Sequence, residues 1–376
     1  MQTHASTQRR TDFNVALNGY RGLCASVVFV YHLGSSGILP WPSGSPVADA
    51  TSYLWNSLAY GVEMFFMISG FVILGSLLRH PSVGGFLKDR FVRIFSAWVP
   101  ALIAVTAVSV VFAIRPFDHA GPLETAGLFV GNLLLLPPIV PFPMVHRGSW
   151  SLSYEWVFYL LAAAGVLLYR RVPQRHWTIA LWGIAAAGFI CLFPRSLFFV
   201  TGVLVFKYRD WFAQHLRWLK FPALSFLLFL AAWRYTGVMP AHLTVTLFDF
   251  LSDGRWIAVL VALAASIHMF ASICLNASRQ TAFLQGRVCQ FLGNISYSFY
   301  LWHTLAMGLV KRLVEPYVVP DYGAVVGLIV FGIGSLAIAL PVSWLSWKLF
   351  EGKLAKAARH ALASESSLGR ALRATT

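Results

Sequence analysis

The sequence predicts an all-helical membrane protein, a bundle of about ten transmembrane helices. Of its 376 residues, 58% are hydrophobic and only 11% are charged, whereas an average soluble domain carries about 25% charged residues. The mean hydropathy is +0.67, and the apolar residues form runs near the roughly 20 residues that a helix needs to cross hydrocarbon. We therefore expect one integral membrane domain over residues 1–352, followed by a basic cytoplasmic tail over 353–376.

The apolar runs place the spans in order along the chain. The sixth run is the shortest, and no internal repeat or low-complexity segment separates the runs into groups. The predicted spans are 15–34, 53–78, 91–114, 151–169, 177–193, 195–207, 219–235, 256–275, 291–310 and 324–347.

Basic residues predict the orientation of these spans. Clusters of Lys and Arg follow the second, fourth, sixth, eighth and tenth spans, whereas the loop at 34–52 contains neither. Because Lys and Arg collect in short cytoplasmic loops, we expect both termini in the cytoplasm. The net charge of +15 is then explained by this bias, and nucleic acid is not an expected partner. Lys311 and Arg312 are the exception to the pattern.

One further apolar run, 128–140, is not counted as a span. If it crossed the membrane, the basic pair Arg170 and Arg171 would lie on the outer side, against the bias. The surrounding stretch 126–148 contains four prolines, and irregular backbone at membrane depth is tolerated only where it is buried or lines a cavity. We expect this stretch to be re-entrant or extracytoplasmic and to form a cavity wall.

Two ionisable residues, Arg21 and His32, lie inside the first predicted span. Eleven residues at about 100° each make roughly three full turns, so both side chains lie on one helix face, about 16 Å apart along the axis. Charged groups in hydrocarbon usually face the bundle interior or a wet cavity. We expect both residues to line one shared chamber, with His32 as a catalytic base and Arg21 beside the reacting group.

Two carboxylates are candidate catalytic partners of this pair. Glu63 lies early in the second span, where it either forms a structural ion pair with Arg21 or orients the His32 imidazole and assists proton transfer. Glu155 shares a face of the fourth span with Ser151, four residues earlier. The alternative for these polar residues is a buried network that fixes helix packing.

Basic residues also cluster at the expected cytoplasmic entrance of the third span. Arg90 and Arg93 lie on one helix face, and Lys88 is close to them. They are either ordinary anchors of the positive-inside kind or a clamp for phosphate, because guanidinium groups bind phosphate through two parallel hydrogen bonds.

Four residues are candidate substrate contacts. Trp150 and Ser151 begin the fourth span, and Tyr300 and His303 share one face of the ninth. Anchoring at the membrane interface is the alternative for Trp150, and interhelical hydrogen bonding is the alternative for the polar side chains.

Several classes of site are not indicated by the sequence. The four cysteines have no paired spacing, so neither a disulfide nor a metal site is expected. The chain lacks a Walker-type phosphate loop, a dinucleotide glycine pattern, a His-Glu-x-x-His motif and a Gly-x-Ser-x-Gly motif. A transporter for an anionic solute is the competing class of function, although such proteins often show repeated halves.

Five short stretches, taken in order, make the chain resemble the membrane-bound acyltransferase-3 family. The resemblance lies in an Arg-x10-His pair, a Gly-Val-Glu segment that ends in Ser-Gly-Phe, an Arg-x-x-Arg pair, a Trp-Ser-Leu-Ser-x-Glu segment and a late segment that ends in Leu-Trp-His. It covers roughly residues 15–351. These stretches are 21–32, 61–71, 90–93, 150–155 and 295–303.

The resemblance implies a multi-pass enzyme of the bacterial cytoplasmic (inner) membrane that transfers an acyl group, commonly acetyl from acetyl-CoA, to a hydroxyl. It implies that Arg21 and His32 are essential and that Arg90 and Arg93 bind the CoA. The acceptor would be a sugar of a lipopolysaccharide, exopolysaccharide or lipid-linked glycan, or alternatively a small secondary metabolite or signalling oligosaccharide. Asn18 and Glu63 each stand where the family commonly has Asp.

Two roles for His32 follow from this expectation. A neutral imidazole could take the proton of the acceptor hydroxyl as it attacks the thioester, with Arg21 stabilising the oxyanion. Alternatively, His32 could carry the acyl group transiently itself.

Overall fold

The chain is helical throughout its described part, which confirms the predicted all-α class. The computed structural model describes residues 14–39, 44–171, 175–237 and 245–362, and no strand occurs in these ranges. The residues of the predicted tail beyond 362 lie outside them. The α-helices are α1 (Val15–Gly34), α2 (Pro46–Ser57), α3 (Gly61–Arg79), α4 (Val83–Val111), α5 (Pro122–Leu133), α6 (Ser149–Arg171), α7 (His176–Leu192), α8 (Leu197–Lys207), α9 (Arg209–Gln214), α10 (Pro222–Tyr235), α11 (Leu247–Ser252), α12 (Trp256–Cys274), α13 (Arg287–Tyr317) and α14 (Val319–Ser346), followed by a π-helical segment, Trp347–Leu354.

The chain is a multi-pass membrane protein, and its described ranges contain five helical stretches long and apolar enough to cross a membrane. The pair α7 and α8, bent by 114° at the break between them, makes a sixth candidate. With 11 residues, α8 is about 16 Å long and does not cross the hydrocarbon core by itself. The helices at the two spans predicted at 177–193 and 195–207 therefore form one bent pair, the α7–α8 hairpin, and the described ranges do not show the ten spans that the sequence predicts. The five stretches are Pro46–Arg79, Val83–Val111, Ser149–Arg171, Trp256–Cys274 and Val319–Leu362.

Helix α1 begins and ends where the sequence predicts. The side chain of Asn14 caps it by accepting a hydrogen bond from the backbone N–H of Leu17 at 3.0 Å, as short polar residues do at helix N-termini. Glycines let α1 lie very close to α13: a Cβ on Gly293 would lie 2.1 Å from the carbonyl oxygen of Asn18. Small residues allow this approach between membrane helices, so α1 and α13 form the axis of the bundle.

A second close contact joins α3 to α8. A Cβ on Gly70 would lie 2.1 Å from the carbonyl oxygen of Phe199, and one on Gly202 would lie 2.0 Å from that of Met67. The glycine of the Ser-Gly-Phe motif, Gly70, therefore allows close packing, and it holds α8 against α3, the helix that contains Glu63.

The last part of the stretch 126–148 lines a cavity, and Val145, His146 and Arg147 contribute to its wall. Its first part belongs to α5, and its remainder is irregular up to the start of α6. Fully buried Asn132 holds the irregular part through a bond of 2.9 Å to the carbonyl oxygen of Pro143 and one of 3.0 Å from the N–H of Val145. These bonds satisfy backbone groups that would otherwise be buried without partners.

Candidate active site

Arg21 and Arg93 line the same set of three neighbouring cavities. One of them, which we call the inner cavity, has a volume of about 70 Å³ and is also lined by Ser69, Glu155 and Tyr300. Helices α1, α3, α4, α6 and α13 each contribute at least one side chain to its wall. The structure therefore brings together five of the residues that the sequence singled out, namely Arg21, Arg93, Ser151, Glu155 and Tyr300.

Two wider cavities share Arg21 and Arg93 with the inner cavity. The Arg90 vestibule, of about 190 Å³, is also lined by Asn18, Arg90 and Tyr159. The Glu351 vestibule, of about 250 Å³, is also lined by Ser96, Glu351 and Arg359. Arg21 and Arg93 thus lie where two vestibules and the inner cavity meet.

The two shared arginines have no acidic partner in the described ranges. Neither Arg21 nor Arg93 forms an ion pair with a carboxylate there. Two guanidinium groups in one wall repel each other, so the vestibules favour a ligand that carries negative charge. Arg90 adds a third cation, held by a bond of 3.5 Å from its Nη2 to the hydroxyl of Ser76.

The carboxylate of Glu155 is bound by neighbouring hydroxyl groups. It accepts hydrogen bonds from the Ser69 hydroxyl at 2.7 Å and from the hydroxyl of Tyr159. These bonds fix the carboxylate in the wall that the inner cavity shares with the Arg90 vestibule. Glu155 therefore offsets part of the charge of Arg21 and Arg93 without pairing directly with either.

Sequence reasoning missed a second carboxylate on this side, Glu351. It lies in the π-helical segment after α14 and accepts a hydrogen bond of 2.6 Å from the hydroxyl of Ser298. The sequence could have indicated Glu351, because it is a single acidic residue between Lys348 and Lys353 at the end of the last apolar run. π-Helical turns occur often at functional sites.

Ser151 and Tyr300 form a hydrogen-bonded corner of the inner cavity. Their hydroxyl oxygens lie 2.9 Å apart, and each lies 3.0 Å from the carbonyl oxygen of Gly148. Because each hydroxyl has one hydrogen, one donates to the carbonyl oxygen while the other donates to its neighbouring hydroxyl. The corner joins the start of α6 to α13. Both side chains are buried and polar, and both face the cavity that holds Arg21.

His32 lies in a different cavity from Arg21, which corrects the predicted shared chamber. The His32 cavity has a volume of about 350 Å³, and Ser35, Arg147, Lys311 and Arg312 are among the residues that line it. None of the cavities named above contains both Arg21 and His32 in its wall. The separation of 11 residues along α1 places the two side chains at opposite ends of the helix, in compartments divided by other side chains.

His303 is part of the division between these compartments. Its ring centroid lies 5.3 Å from that of His32 and 6.0 Å from that of Tyr300, and Phe29 and Phe299 pack against it. Its Nδ1 bonds the carbonyl oxygen of Phe299 at 2.9 Å. A carbonyl only accepts, so Nδ1 carries the hydrogen of a neutral ring and Nε2 carries the lone pair. That Nε2 is buried without a hydrogen-bond partner among the described residues.

The predicted role of Glu63 is corrected by its neighbours. Its carboxylate is fully buried and accepts two bonds from the guanidinium of Arg195, at 2.6 and 2.9 Å, and a third of 3.2 Å from the indole N–H of Trp233. It therefore pairs with neither Arg21 nor His32. The sequence held a signal for this pair, because Arg195 also lies in an apolar run and needs a partner there.

Trp150 and Lys88 also lie away from the cavities described above. Trp150 is buried, and its ring stacks on the guanidinium of Arg195 at 3.9 Å. This cation–π contact holds the tip of the α7–α8 hairpin, and the substrate contact expected of Trp150 stays a prediction. Lys88 is exposed near the start of α4.

His146 was not singled out by the sequence and lines the His32 cavity. Its Nε2 donates to the carbonyl oxygen of Leu301 at 2.8 Å, and its Nδ1 accepts from the N–H of Gly148 at 3.0 Å. Both ring nitrogens are therefore used, and His146 fastens the irregular stretch before α6 to α13.

Comparison with known proteins gives one match that covers nearly the whole chain. Residues 14–348 match the family model described as acyltransferase domain, acyltransferase-3. No solved structure matches the chain.

Among curated proteins, the chain is similar to an acyltransferase, MdmB, of Streptomyces mycarofaciens, with 27% identity over 79% of this chain and 80% of the relative. It is also 27% identical to the exopolysaccharide production protein ExoZ of Rhizobium meliloti, over 70% of this chain and 81% of the relative. The peptidoglycan O-acetyltransferase OatA of Listeria monocytogenes is 22% identical over 80% of this chain and 50% of the relative.

Proposed function

The chain belongs to the acyltransferase-3 family, and from that premise we propose that it transfers an acetyl group from cytoplasmic acetyl-CoA to a sugar hydroxyl of a cell-envelope or secreted polysaccharide. The names of two relatives, an exopolysaccharide production protein and a peptidoglycan O-acetyltransferase, support a glycan acceptor. One observation carries the proposal. The inner cavity, which Arg21 and Arg93 line, and the His32 cavity are linked by a chain of ring contacts from Tyr300 through His303 to His32.

The Arg21 side is proposed to bind the donor. Acetyl-CoA is rich in phosphate, and Arg21, Arg90 and Arg93 offer guanidinium groups that suit phosphate geometry. The charged part of the donor is assigned to the two vestibules, and its thioester arm is assigned to the inner cavity that they share with Arg21 and Arg93. Arg21 is thereby assigned to donor binding, and the expectation that it stabilises an oxyanion beside His32 is set aside because it lines the other compartment.

The His32 side is proposed to bind the acceptor. His32 takes the proton of the acceptor hydroxyl while the hydroxyl oxygen bonds to the carbonyl carbon of the thioester. The carbon–sulfur bond breaks, and the CoA thiolate leaves and receives the proton that His32 took up. Transfer requires the thioester to pass Tyr300, which lines the inner cavity, and His303, whose ring packs beside those of Tyr300 and His32.

His303 is proposed to be a positioning residue for His32. Its bond to the Phe299 carbonyl oxygen fixes which nitrogen carries the lone pair, and its ring packs against the catalytic imidazole. It thereby limits the orientations that the His32 ring adopts. Glu155 and Ser151 are proposed to position the donor arm from the wall of the inner cavity.

The test compares the wild-type full-length protein with His32→Ala in liposomes that contain labelled acetyl-CoA and a bacterial exopolysaccharide. We expect wild type to add acetyl groups to the glycan, seen as a mass increase, and to release free CoA only when the glycan is present. His32→Ala should do neither, while His119→Ala, whose side chain is 94% exposed, should match wild type. Full transfer by His32→Ala would contradict the assigned base.

The same samples separate direct transfer from an acyl-histidine relay. After an acid quench in the absence of acceptor, direct transfer leaves no label on the protein. Label that remains on wild type and is absent from His32→Ala would indicate the relay instead. Movement of intact anionic solute across the liposome without thioester cleavage would favour a transporter.

A further inference from the structure

The His32 cavity has a cationic wall. Three basic side chains, Arg147, Lys311 and Arg312, are among its lining residues, and neither Asp nor Glu is. The remaining polar lining consists of hydroxyl groups and two imidazoles, which are His32 and His146. In a cavity where an acceptor sugar would only need hydroxyl and amide partners, this concentration of positive charge calls for an explanation.

The charge also runs against the distribution of basic residues in the rest of the chain. Lys311 and Arg312 are the residues that break the positive-inside pattern, and the loop at 34–52 contains no Lys or Arg. Arg115, which precedes the irregular wall of the cavity, is different, because it pairs with Asp118 at 3.3 Å. The basic residues of the cavity are thus not ordinary topology anchors.

The three cations differ in how much of their charge is used within the protein. The Lys311 ammonium donates to the carbonyl oxygen of Ser36 at 2.7 Å and lies 3.7 Å from Glu315. It therefore ties α13 to the turn that follows α1.

Arg147 and Arg312 are available in a way that Lys311 is not. Both are exposed, and neither forms an ion pair with a carboxylate in the described ranges. The guanidinium of Arg312 lies 4.3 Å from the ring centroid of Phe112, which supports its plane and leaves its N–H groups free to bind a ligand. Stacking of this kind pre-organises Arg for planar anions.

We infer that the acceptor is anionic: the His32 cavity takes a saccharide with a carboxylate or phosphate group, which Arg147 and Arg312 bind while one hydroxyl of the same molecule reaches His32. This rests on the proposed function for the reaction, although anion binding is measurable without it. Arg312 lies nine residues beyond His303 on α13, about 13 Å along the axis. The bound charge and the reacting hydroxyl therefore belong to separate parts of an extended ligand, such as different units of an oligosaccharide.

The experiment measures equilibrium binding to the full-length protein in phosphatidylcholine nanodiscs at low salt. The probes are fluorescent tetragalacturonate, its carboxyl methyl ester, and a polyprenyl diphosphate-linked sugar, which separates a sugar carboxylate from a lipid-linked phosphate. The variants are Arg147→Gln with Arg312→Gln, and Arg115→Gln as the matched control. Acetyl-CoA binding is measured in parallel to show that each variant is folded.

We expect at least one anionic probe to bind about tenfold or more tightly than the neutral ester, which corresponds to one charged hydrogen-bonded contact. The double variant should lose this preference, Arg115→Gln should keep it, and added salt should reduce it. If the acid and its ester bind alike and the diphosphate probe does not depend on the arginine pair, the inference is overturned. Charge-selective binding without acetyl transfer to any probe would instead leave the inference standing and count against the proposed reaction.

Discussion

Two arginines within the apolar part of the protein, Arg195 and Arg21, have opposite surroundings. Arg195 is 2% exposed, is held by both oxygens of Glu63 and stacks on Trp150. Arg21 is half-buried, has no carboxylate partner in the described ranges and lines three cavities. A charged group in a membrane segment suggests function, but its partners distinguish a structural ion pair from a ligand site.

This difference predicts that substitutions of Arg195 and Arg21 have different effects. The charge of Arg195 is balanced within the protein, so its removal strands the buried Glu63. Arg21 forms no ion pair with a carboxylate in the described ranges, and Glu155 offsets only part of its charge, so removing Arg21 relieves its repulsion from Arg93 and weakens the binding of an anion there. Substitution of Arg195 should reduce folding stability, and substitution of Arg21 should weaken substrate binding.

The largest effect is expected from Glu63→Ala. It leaves the guanidinium of Arg195 buried without its charge partner, and breaking a buried ion pair in this way costs about 3–5 kcal/mol. The amount of folded protein recovered from membranes and its thermal stability in detergent should both fall sharply. Arg195→Ala should do the same by stranding Glu63.

A double variant sharpens that prediction. In Glu63→Met with Arg195→Met, both charges are replaced by apolar side chains, and such replacements are often neutral or stabilising. Stability and acetyl transfer should therefore return together. A stable double variant without activity would show that the pair serves the reaction as well as the fold, which would remove the contrast with Arg21.

An intermediate effect is expected from Arg21→Gln, alone and with Arg93→Gln. Each lost hydrogen bond to a charged phosphate is worth about 1.5–3 kcal/mol, so KM for acetyl-CoA should rise about tenfold to a hundredfold. Thermal stability should be unchanged, in contrast to the Glu63 variant.

Acetyl-pantetheine, which lacks the nucleotide phosphates of CoA, provides the control for Arg21. Wild type should have a much lower KM for acetyl-CoA than for acetyl-pantetheine. The double variant should show a much smaller difference, because its KM for acetyl-pantetheine is expected to match that of wild type. If the double variant prefers acetyl-CoA as strongly as wild type does, Arg21 and Arg93 do not bind the nucleotide phosphates. If the variant loses thermal stability, Arg21 has a structural role like that of Arg195.

The fold was largely predictable because each element depends on local sequence. The capping Asn14 and the apolar run after it define α1, and the bounds of that helix match the predicted span. The break between α7 and α8 also had a local signal in Pro194, which cannot continue a helix. The sequence also showed this sixth run to be the shortest, but it did not show that α7 and α8 bend by 114° at the break between them.

The site was predictable only in part, because its contacts join residues far apart in the chain. The sequence singled out Arg21, Arg93 and Glu155 in three separate motifs, and only the structure shows that they share one cavity. The bond between Glu63 and Arg195 joins residues 132 positions apart, and helical periodicity carries no information about such pairs. Periodicity put Arg21 and His32 on one face, but the packing of the His303 ring against His32 and Phe29 follows from how α13 lies against α1.

The smallest effect is expected from Tyr300→Phe, which tests how sharply the two compartments are coupled. The change removes a hydroxyl that bonds Ser151 and the Gly148 carbonyl oxygen and keeps the ring that packs beside His303. Because a single neutral hydrogen bond contributes about 0.5–1.5 kcal/mol, kcat should fall by about tenfold or less, with KM for acetyl-CoA unchanged. Tyr300→Ala also removes the ring between the inner cavity and His303, so it should additionally release CoA without acceptor as water reaches the thioester. Equal behaviour of the two variants would mean that the ring does not separate the compartments, and that the division lies with His303 and its phenylalanine neighbours alone.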